Sequence, residues 1–200
     1  MARTLILIRH GEVESRYKGK LAGSTDAALS PAGLEQAARL TTFISKKSPD
    51  IFYSSPMKRC MDSARAATAG LNIELKIESL LREVDFGDWE GLSFEEISKA
   101  DPEGAGKWCV CDPEFTFPRG ENLAGFLERV GAAAKMLAAG EYKTVAAFTH
   151  GGVIRFMLCR LLGLEITKHI IFEVGYADAF VLKLHGGFAM LSEIVKGKDL

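Results

Sequence analysis

The sequence predicts an α/β fold of three layers, α/β/α, with a mostly parallel central sheet. Residues 5–8 are a continuous apolar run of strand length, and residues 144–148, apolar after Thr144, show the same pattern of a strand that is covered on both faces. Elsewhere apolar residues recur at helical spacing, so that strands and helices alternate along the chain. This alternation is typical of a parallel sheet with helices on both faces.

The remaining elements follow in chain order. Ser30 and Pro31 predict the start of a helix through residue 44, because Ser is a common N-cap and Pro fits the first turn. Strands are expected at residues 51–53 and 75–77, on either side of a helix at 57–69. Helices are predicted again at 123–137 and 153–162, and residues 179–184 and 188–194 predict a hairpin.

The length of 200 residues predicts a single domain, residues 1–200, with a sizeable core. Residues 101–122 are rich in Pro, Gly and aromatic residues and have poor periodicity, so we predict an irregular lid or insertion there. Trp108, Phe115 and Phe117 would be costly to leave in water, which argues against a flexible linker.

Charge and cysteine content argue against several classes of protein. The formal net charge is -1, so neither a nucleic-acid partner nor a polybasic membrane anchor is expected. The four cysteines are too few for a disulfide scaffold, and Cys109 and Cys111 have no second pair at zinc spacing. No apolar run reaches membrane-spanning length, and the first one is too short for a signal peptide. We expect a soluble, cytoplasmic protein, and the sequence is compatible with a homodimer.

Polar residues follow three of the predicted strands. Arg9, His10 and Gly11 come directly after the first strand, residues 54–59 follow the second, and residues 149–152 follow the strand at 144–148. Ligands of parallel sheets bind at the carboxyl ends of the strands. We therefore expect these three segments to form one site.

The residue types in these segments meet the needs of phosphoryl transfer. His10 can be the nucleophile, because neutral imidazole is abundant at neutral pH. Arg9 and Arg59 supply donors that match phosphate oxygens, and His150, if protonated, adds a third. Glu83 lies in a loop that could reach the leaving oxygen and protonate it.

Each of these residues also has a simpler structural interpretation. A histidine at a strand end is more often structural than catalytic, an arginine near a helix start is usually a surface group, and Glu83 could be a cap or a surface charge. The joint pattern, with His-Gly after two separate buried strands and an arginine beside the first histidine, favours the phosphoryl-transfer hypothesis.

The strand-end residues belong to a series of short motifs that extends over nearly the whole chain. The motifs are LIRHGE at residues 7–12, GSTD at 23–26, LSPAG at 29–33, SSPMKRC at 54–60, LREVDFGDWEG at 81–91, PRGE at 118–121 and THGG at 149–152. In this order they resemble the histidine phosphatase superfamily, also called the phosphoglycerate mutase-like family. The resemblance implies a phosphoglycerate mutase-like fold.

The resemblance also implies roles for the residues of the three segments. His10 would be the phosphorylated nucleophile, and Glu83 would be the general acid and base. Arg9, Arg59 and His150 would complete the phosphate pocket. Neither a metal nor another cofactor is implied.

Further residues are expected to contact the substrate: Gly11, Arg16, Gly23, Ser24 and Gly151. Many relatives have Ser or Thr two positions after the signature glycine and Asn three positions further on, where this chain has Val13 and Arg16. A hydroxyl and an amide are thus missing. Arg16 could substitute a charged contact, and Ser24 could add a donor.

The two main activities of such a family share the phosphohistidine step and differ in what attacks it. A mutase usually needs a longer chain and more basic residues, so we favour a phosphomonoesterase that releases inorganic phosphate from a small phosphorylated metabolite. Residues 89–90 and 108–121 are similar to alpha-ribazole phosphatases and broad-specificity relatives, which makes alpha-ribazole 5′-phosphate a candidate substrate. The aromatic residues of the lid either suit a flat ring or close the core. The alternatives are a cofactor-dependent phosphoglycerate mutase and a catalytically silent phosphate-binding regulatory module.

Overall fold

A computed structural model describes residues 3–200 of the chain. Within this range six strands form one sheet, in the order β3-β2-β4-β1-β5-β6. Their bounds are β1 Arg3–Arg9, β2 Ile51–Ser54, β3 Leu75–Ile77, β4 Thr144–Thr149, β5 Ala179–His185 and β6 Phe188–Val195. The first four strands pair in parallel, whereas β5 is antiparallel to β1 and β6 to β5. The predicted mostly parallel α/β fold is confirmed.

Six α-helices occur in the described residues: α1 Pro31–Lys47, α2 Lys58–Ala67, α3 Phe94–Ala100, α4 Pro102–Cys109, α5 Leu123–Ala138 and α6 Gly151–Leu162. The predicted start of α1 is confirmed, because the Ser30 side chain accepts a hydrogen bond from the backbone N–H of Gly33.

Two helices were not predicted. Helix α3 begins with a capping box between Ser93 and Glu96. Helix α4 lies in the segment that was predicted to be irregular, so that prediction is wrong for its first half. Asp101 caps α4, and Gly104 and Gly106 within it hide the helical periodicity that would have revealed it.

The sheet has one apolar cluster on each face. Leu5 and Leu7 of β1 pack in the cluster that contains α5 and α6. Ile6 and Ile8 pack in the cluster that contains α1 and α2. Because successive side chains point to opposite faces, a strand covered on both sides must be apolar throughout.

The segment at 101–122 contributes aromatic side chains to the core. Phe115 and Phe117 are buried and pack with Trp89, with ring centroids 5.5 and 5.4 Å from that ring. Trp108 packs on Trp89 and Phe117 and also lines a cavity that is described below. That this segment acts as a lid stays a prediction. No helix within residues 3–200 is long and apolar enough to cross a membrane.

Candidate active site

His10 lies directly after β1, and His150 lies directly after the neighbouring parallel strand β4. Arg9 and Thr149 are register partners in these two strands, so the residues that follow them meet at the same edge of the sheet. The two imidazole rings have their centroids 5.3 Å apart. The sheet topology thus brings together two histidines that are distant in the chain.

His10 is held as one defined tautomer. Its side chain is only 5% exposed, and its Nδ1 atom lies 2.8 Å from the carbonyl oxygen of Gly11. A carbonyl oxygen only accepts, so Nδ1 carries the proton and Nε2 keeps its lone pair. Burial, together with the charges of Arg9 and Arg59, lowers the pKa of His10 well below its ordinary value of 6.5. The ring is therefore neutral at neutral pH.

Arg9 is partly buried beside His10 and has unused hydrogen-bonding capacity. One terminal nitrogen, Nη1, donates to the carbonyl oxygen of Val174 at 2.7 Å, and the guanidinium carbon lies 4.2 Å from the ring centroid of Tyr176. Its buried Nε atom has no hydrogen-bond partner within residues 3–200. Burial lowers the pKa of Arg9, although an arginine remains charged at neutral pH.

Arg59 is fully buried, and most of its N–H groups donate hydrogen bonds to the protein itself. Its terminal nitrogens donate to the carbonyl oxygens of Ala22, Gly23 and Thr25 at 2.7–2.9 Å. Its Nε atom donates to Nδ1 of His150 at 3.2 Å. Of the five N–H groups of an arginine, this leaves one on Nη1 without a partner among the described residues. Arg59 therefore also organises the loop that faces the site.

His150 is neutral in this arrangement. Its Nδ1 atom accepts from Arg59, and its Nε2 atom lies 2.8 Å from the hydroxyl oxygen of Ser55. Burial and the nearby charge of Arg59 lower the pKa of His150 well below 6.5. The protonated His150 considered from the sequence is thus not supported, because a guanidinium already points at the nitrogen that would take the proton.

Glu83 lies in the loop between β3 and α3. One carboxylate oxygen, Oε2, accepts from the backbone N–H of Gly152 at 2.9 Å, and the other accepts from the N–H of Val84 at 3.2 Å. Gly152 is the second residue of α6, so Glu83 lies close to the segment that follows His150. The side chain lines two adjacent cavities.

Half of the predicted site residues line one cavity of about 200 Å³. Arg9, His10, Arg59, Glu83 and Gly151 line it. His150 is not among the described lining residues, but it accepts a hydrogen bond from Arg59, which is one of them.

Gly152 of the predicted segment 149–152 also lines the cavity, as does Trp108 of the predicted lid. Other lining residues were not predicted: Tyr17, Lys20, Arg155, Phe156, His169 and Tyr176. Arg155 had a usable signal, because it lies four residues after Gly151 and therefore on the same helix face. His169 and Tyr176 had none, since His169 lies in a short 3-10 helix, Ile166–Ile171, and Tyr176 in a turn before β5.

Four of the predicted substrate contacts are not among the described residues that line this cavity: Gly11, Arg16, Gly23 and Ser24. Arg16 pairs with Glu14 at 2.8 Å on the surface and is not among the described residues that line the cavity. The Ser24 hydroxyl donates to Asp85 at 2.9 Å and lines the second cavity, of about 290 Å³. Contact of Arg16 and Ser24 with a substrate stays a prediction, and in this structure nearby carboxylates already pair with both side chains.

Packing requires two of the predicted glycines. A Cβ atom at Gly11 would lie 2.2 Å from the carbonyl oxygen of Gly33, and one at Gly23 would lie 1.8 Å from that of Val84. Only glycine allows these two close approaches. Gly151 lines the cavity next to Arg9, where an added Cβ atom would lie 3.4 Å from the Nε atom, which is an ordinary contact.

The fold and this site define the class of the protein. A buried neutral histidine with a free Nε2, between two arginines at the carboxyl edge of a parallel sheet, is suited to the chemistry of phosphate esters. Within residues 3–200, no group of three or more His, Cys, Asp and Glu side chains is arranged to hold a metal ion.

The chain belongs to the histidine phosphatase superfamily (branch 1), whose family model matches residues 5–195. It is 32% identical over 181 residues to phosphoserine phosphatase 1 of Hydrogenobacter thermophilus, covering 90% of this chain and 86% of that protein. It is 29% identical to the adenosylcobalamin/alpha-ribazole phosphatase of Escherichia coli, covering 94% and 93%. The crystal structure of the alpha-ribazole phosphatase from Shigella flexneri superposes with a TM-score of 0.85 at 27% identity, covering 97% and 96%. These relatives are phosphatases, and the chain is a hydrolase of phosphate monoesters.

Proposed function

We propose that the protein hydrolyses a small phosphorylated metabolite through a phosphohistidine on His10. The observation that carries this proposal is the hydrogen bond of 2.8 Å between Nδ1 of His10 and the carbonyl oxygen of Gly11. It leaves the lone pair on Nε2, and the lowered pKa keeps that lone pair available at neutral pH. A buried neutral imidazole in a cavity with two arginines is a nucleophile next to its anion site.

In the first step, Nε2 of His10 attacks phosphorus, and the bond from phosphorus to the ester oxygen breaks. Arg9 and the remaining N–H of Arg59 stabilise the charge on the phosphoryl oxygens. The carboxyl form of Glu83 gives its proton to the departing oxygen, so that an alcohol leaves. The N–H of Gly152 holds the Glu83 side chain in place for this transfer.

In the second step, water attacks the phosphohistidine. Glu83, now a carboxylate, takes a proton from that water, and the bond between phosphorus and Nε2 breaks. Inorganic phosphate leaves, and His10 and Glu83 return to their initial protonation states. The same carboxyl group thus acts first as acid and then as base.

The names of the relatives suggest which substrates to test first. Alpha-ribazole 5′-phosphate is supported by two relatives and by the aromatic side chains of Tyr17, Trp108 and Phe156 in the cavity, which suit a flat ring. Phosphoserine is supported by the relative with 32% identity.

The proposal is tested by following phosphate release from an aryl phosphate in excess chelator. We expect steady turnover by the wild type and its loss in His10→Ala, with acid-labile labelling of the wild type alone by a substrate with a radioactive phosphoryl group. His185→Ala is the matched control, because His185 is exposed at the turn between β5 and β6.

Two other outcomes would contradict the proposal. Interconversion of phosphoglycerates with a bisphosphate primer, faster than release of free phosphate, would indicate a mutase. Binding of phosphate without turnover or labelling would indicate a regulatory module.

A further inference from the structure

Arg155 lines the cavity with most of its hydrogen-bonding capacity unused. Its Nε atom donates to the carbonyl oxygen of Phe172 at 3.0 Å, which fixes the side chain in position. An arginine has five N–H donors, and the other four have no protein partner within residues 3–200. In contrast, Arg59 uses four of its five donors on the protein.

Arg155 lies close to the phosphoryl site, about one helical turn away from it along α6. Gly151, Gly152 and Arg155 line the cavity from the same face of α6, and Gly151 lies beside Arg9. One helical turn lies between the glycines and Arg155, which is a rise of about 5 Å along the axis. This offset fits a second group that is a few bonds away from the phosphate of the same small substrate.

The charge of the cavity exceeds what a phosphate ester alone would neutralise. Four of the described lining residues are cationic, namely Arg9, Lys20, Arg59 and Arg155, whereas Glu83 is the one carboxylate among them. A phosphate monoester brings about two negative charges at neutral pH. Since the protein as a whole has a net charge of -1, this positive charge is local to the cavity.

His169 adds a polar contact next to Arg155. Its ring packs on Phe156, with centroids 4.5 Å apart, and its Nδ1 atom has no partner among residues 3–200. Burial and the charge of Arg155 lower the pKa of His169, so the ring is neutral and can donate to an anionic oxygen.

We propose that Arg155, with His169 beside it, forms a second anion-binding subsite that accepts a carboxylate or a second phosphate of the substrate. The inference rests on the proposed function and names its substrate class: a small phosphate monoester with another anionic group a few bonds from the ester oxygen. Of the two candidates above, phosphoserine has such a group and alpha-ribazole 5′-phosphate does not, so the inference favours phosphoserine. Arg155 then determines specificity, because it distinguishes such esters from neutral ones of the same size.

The test compares substrates that differ in this group alone. In 3-phosphoglycerate a carboxylate replaces the hydroxymethyl group of glycerol 3-phosphate, and fructose 1,6-bisphosphate carries a second phosphate that fructose 6-phosphate lacks. For the wild type we expect kcat/KM to be about tenfold or more higher for the anionic member of at least one pair, as for a charge-assisted hydrogen bond. The pair that shows the preference indicates whether the subsite binds a carboxylate or a second phosphate.

Arg155→Gln should abolish that preference through a higher KM for the anionic substrate, with a smaller change in kcat/KM for the neutral substrate. Arg155→Lys should retain part of it, because the charge remains while the fork is lost. Arg160→Gln is the matched control, since Arg160 lies on the same helix and lines a different cavity. Thermal unfolding of each variant checks that the contact with Phe172 is not needed for folding.

Two results would overturn the subsite: a wild type without preference in either pair, or an Arg155→Gln variant that loses activity equally on both members of a pair. Failure of the proposed function is a separate result, namely no hydrolysis of any ester, including an aryl phosphate. In that event, calorimetry on the same pairs still tests the subsite. The wild type should bind the anionic member with a Kd about tenfold lower than that of the neutral member, and Arg155→Gln should not.

Discussion

The Nε atom of Arg59 donates a hydrogen bond to Nδ1 of His150 over 3.2 Å. Because Nδ1 accepts, His150 keeps its proton on Nε2, where it donates to the hydroxyl oxygen of Ser55 at 2.8 Å. The three side chains form a buried series that joins the segment after β2 to the segment after β4. We expect His150 to position Arg59 in the free protein, whereas Arg59 faces the cavity.

Replacing Arg59 should therefore affect both folding and turnover. Arg59→Ala leaves the carbonyl oxygens of Ala22, Gly23 and Thr25 without their donor, so we expect a loss of about 2 kcal/mol or more in unfolding free energy. We also expect kcat/KM to fall by about 100-fold or more, as for other single electrostatic donors. Urea unfolding and steady-state kinetics measure the two effects. Arg65→Ala, an exposed arginine on the same helix, is the control, and normal kinetics in Arg59→Ala would remove Arg59 from the site.

The two buried histidines should make stability depend on pH. The pKa values of His10 and His150 are lowered in the folded protein, so below pH 6.5 the unfolded chain binds protons that the folded chain does not. Their contribution is fully present above about pH 6.5 and is lost as the pH falls, by up to about 1.4 kcal/mol per unit for each histidine. We expect the unfolding free energy of His150→Gln to fall less between pH 7.5 and 5.5 than that of the wild type. Equal slopes in urea unfolding, with His185→Gln as control, would contradict this.

Glu83→Gln should discriminate between leaving groups. The amide oxygen can still accept from Gly152, so the loop should keep its place while the proton donor is lost. Turnover of alkyl phosphates should fall by about 100-fold or more, and that of an activated aryl phosphate much less, because only the alkyl oxygen needs an acid. Steady-state rates over a series of leaving groups test this, with the exposed Glu128→Gln as control. Equal slowing for all esters would mean that Glu83 positions rather than protonates.

Arg129 should support Glu83 through the backbone. It forms a bidentate ion pair with Glu121, with distances of 3.0 and 2.8 Å, and both side chains are largely buried. It also donates to the carbonyl oxygens around the acid, namely those of Leu80, Arg82 and Glu83. We expect Arg129→Met to lower kcat more than it changes KM, with the leaving-group dependence of Glu83→Gln in weaker form, and to cost about 1–3 kcal/mol in stability. A stability loss without any leaving-group dependence would limit Arg129 to a structural role.

Gly11→Ala should destabilise the protein whatever its effect on catalysis. The added Cβ atom would lie 2.2 Å from the backbone oxygen of Gly33. Gly33 belongs to helix α1, so this oxygen cannot move aside as a flexible side chain could. We expect a loss of about 1–3 kcal/mol, the usual cost of overpacking. Gly106→Ala is the control, because nothing lies within 4 Å of an added Cβ atom there. Unfolding of the two variants at equal denaturant concentration would contradict the prediction.

Sequence by itself determined the fold class and the residues that meet at the sheet edge. An apolar run such as the one before Arg9 is visible within a few residues of sequence. The carboxyl ends of parallel strands lie at the same edge of the sheet, so the meeting of His10 with the segment after β4 could be predicted from spacing and motif. Helix α4 could not, because two glycines remove the apolar pattern on which such a prediction depends.

Tertiary structure alone decided the protonation of His150 and which polar side chains keep unused donors towards the cavity. The partner of His150 lies 91 residues away in Arg59, and the carboxylate that binds Ser24 lies 61 residues away in Asp85. Whether a polar side chain faces a ligand depends on whether the folded chain has already supplied it with a closer partner. That competition is between groups remote in sequence, and neither motif nor periodicity records its outcome.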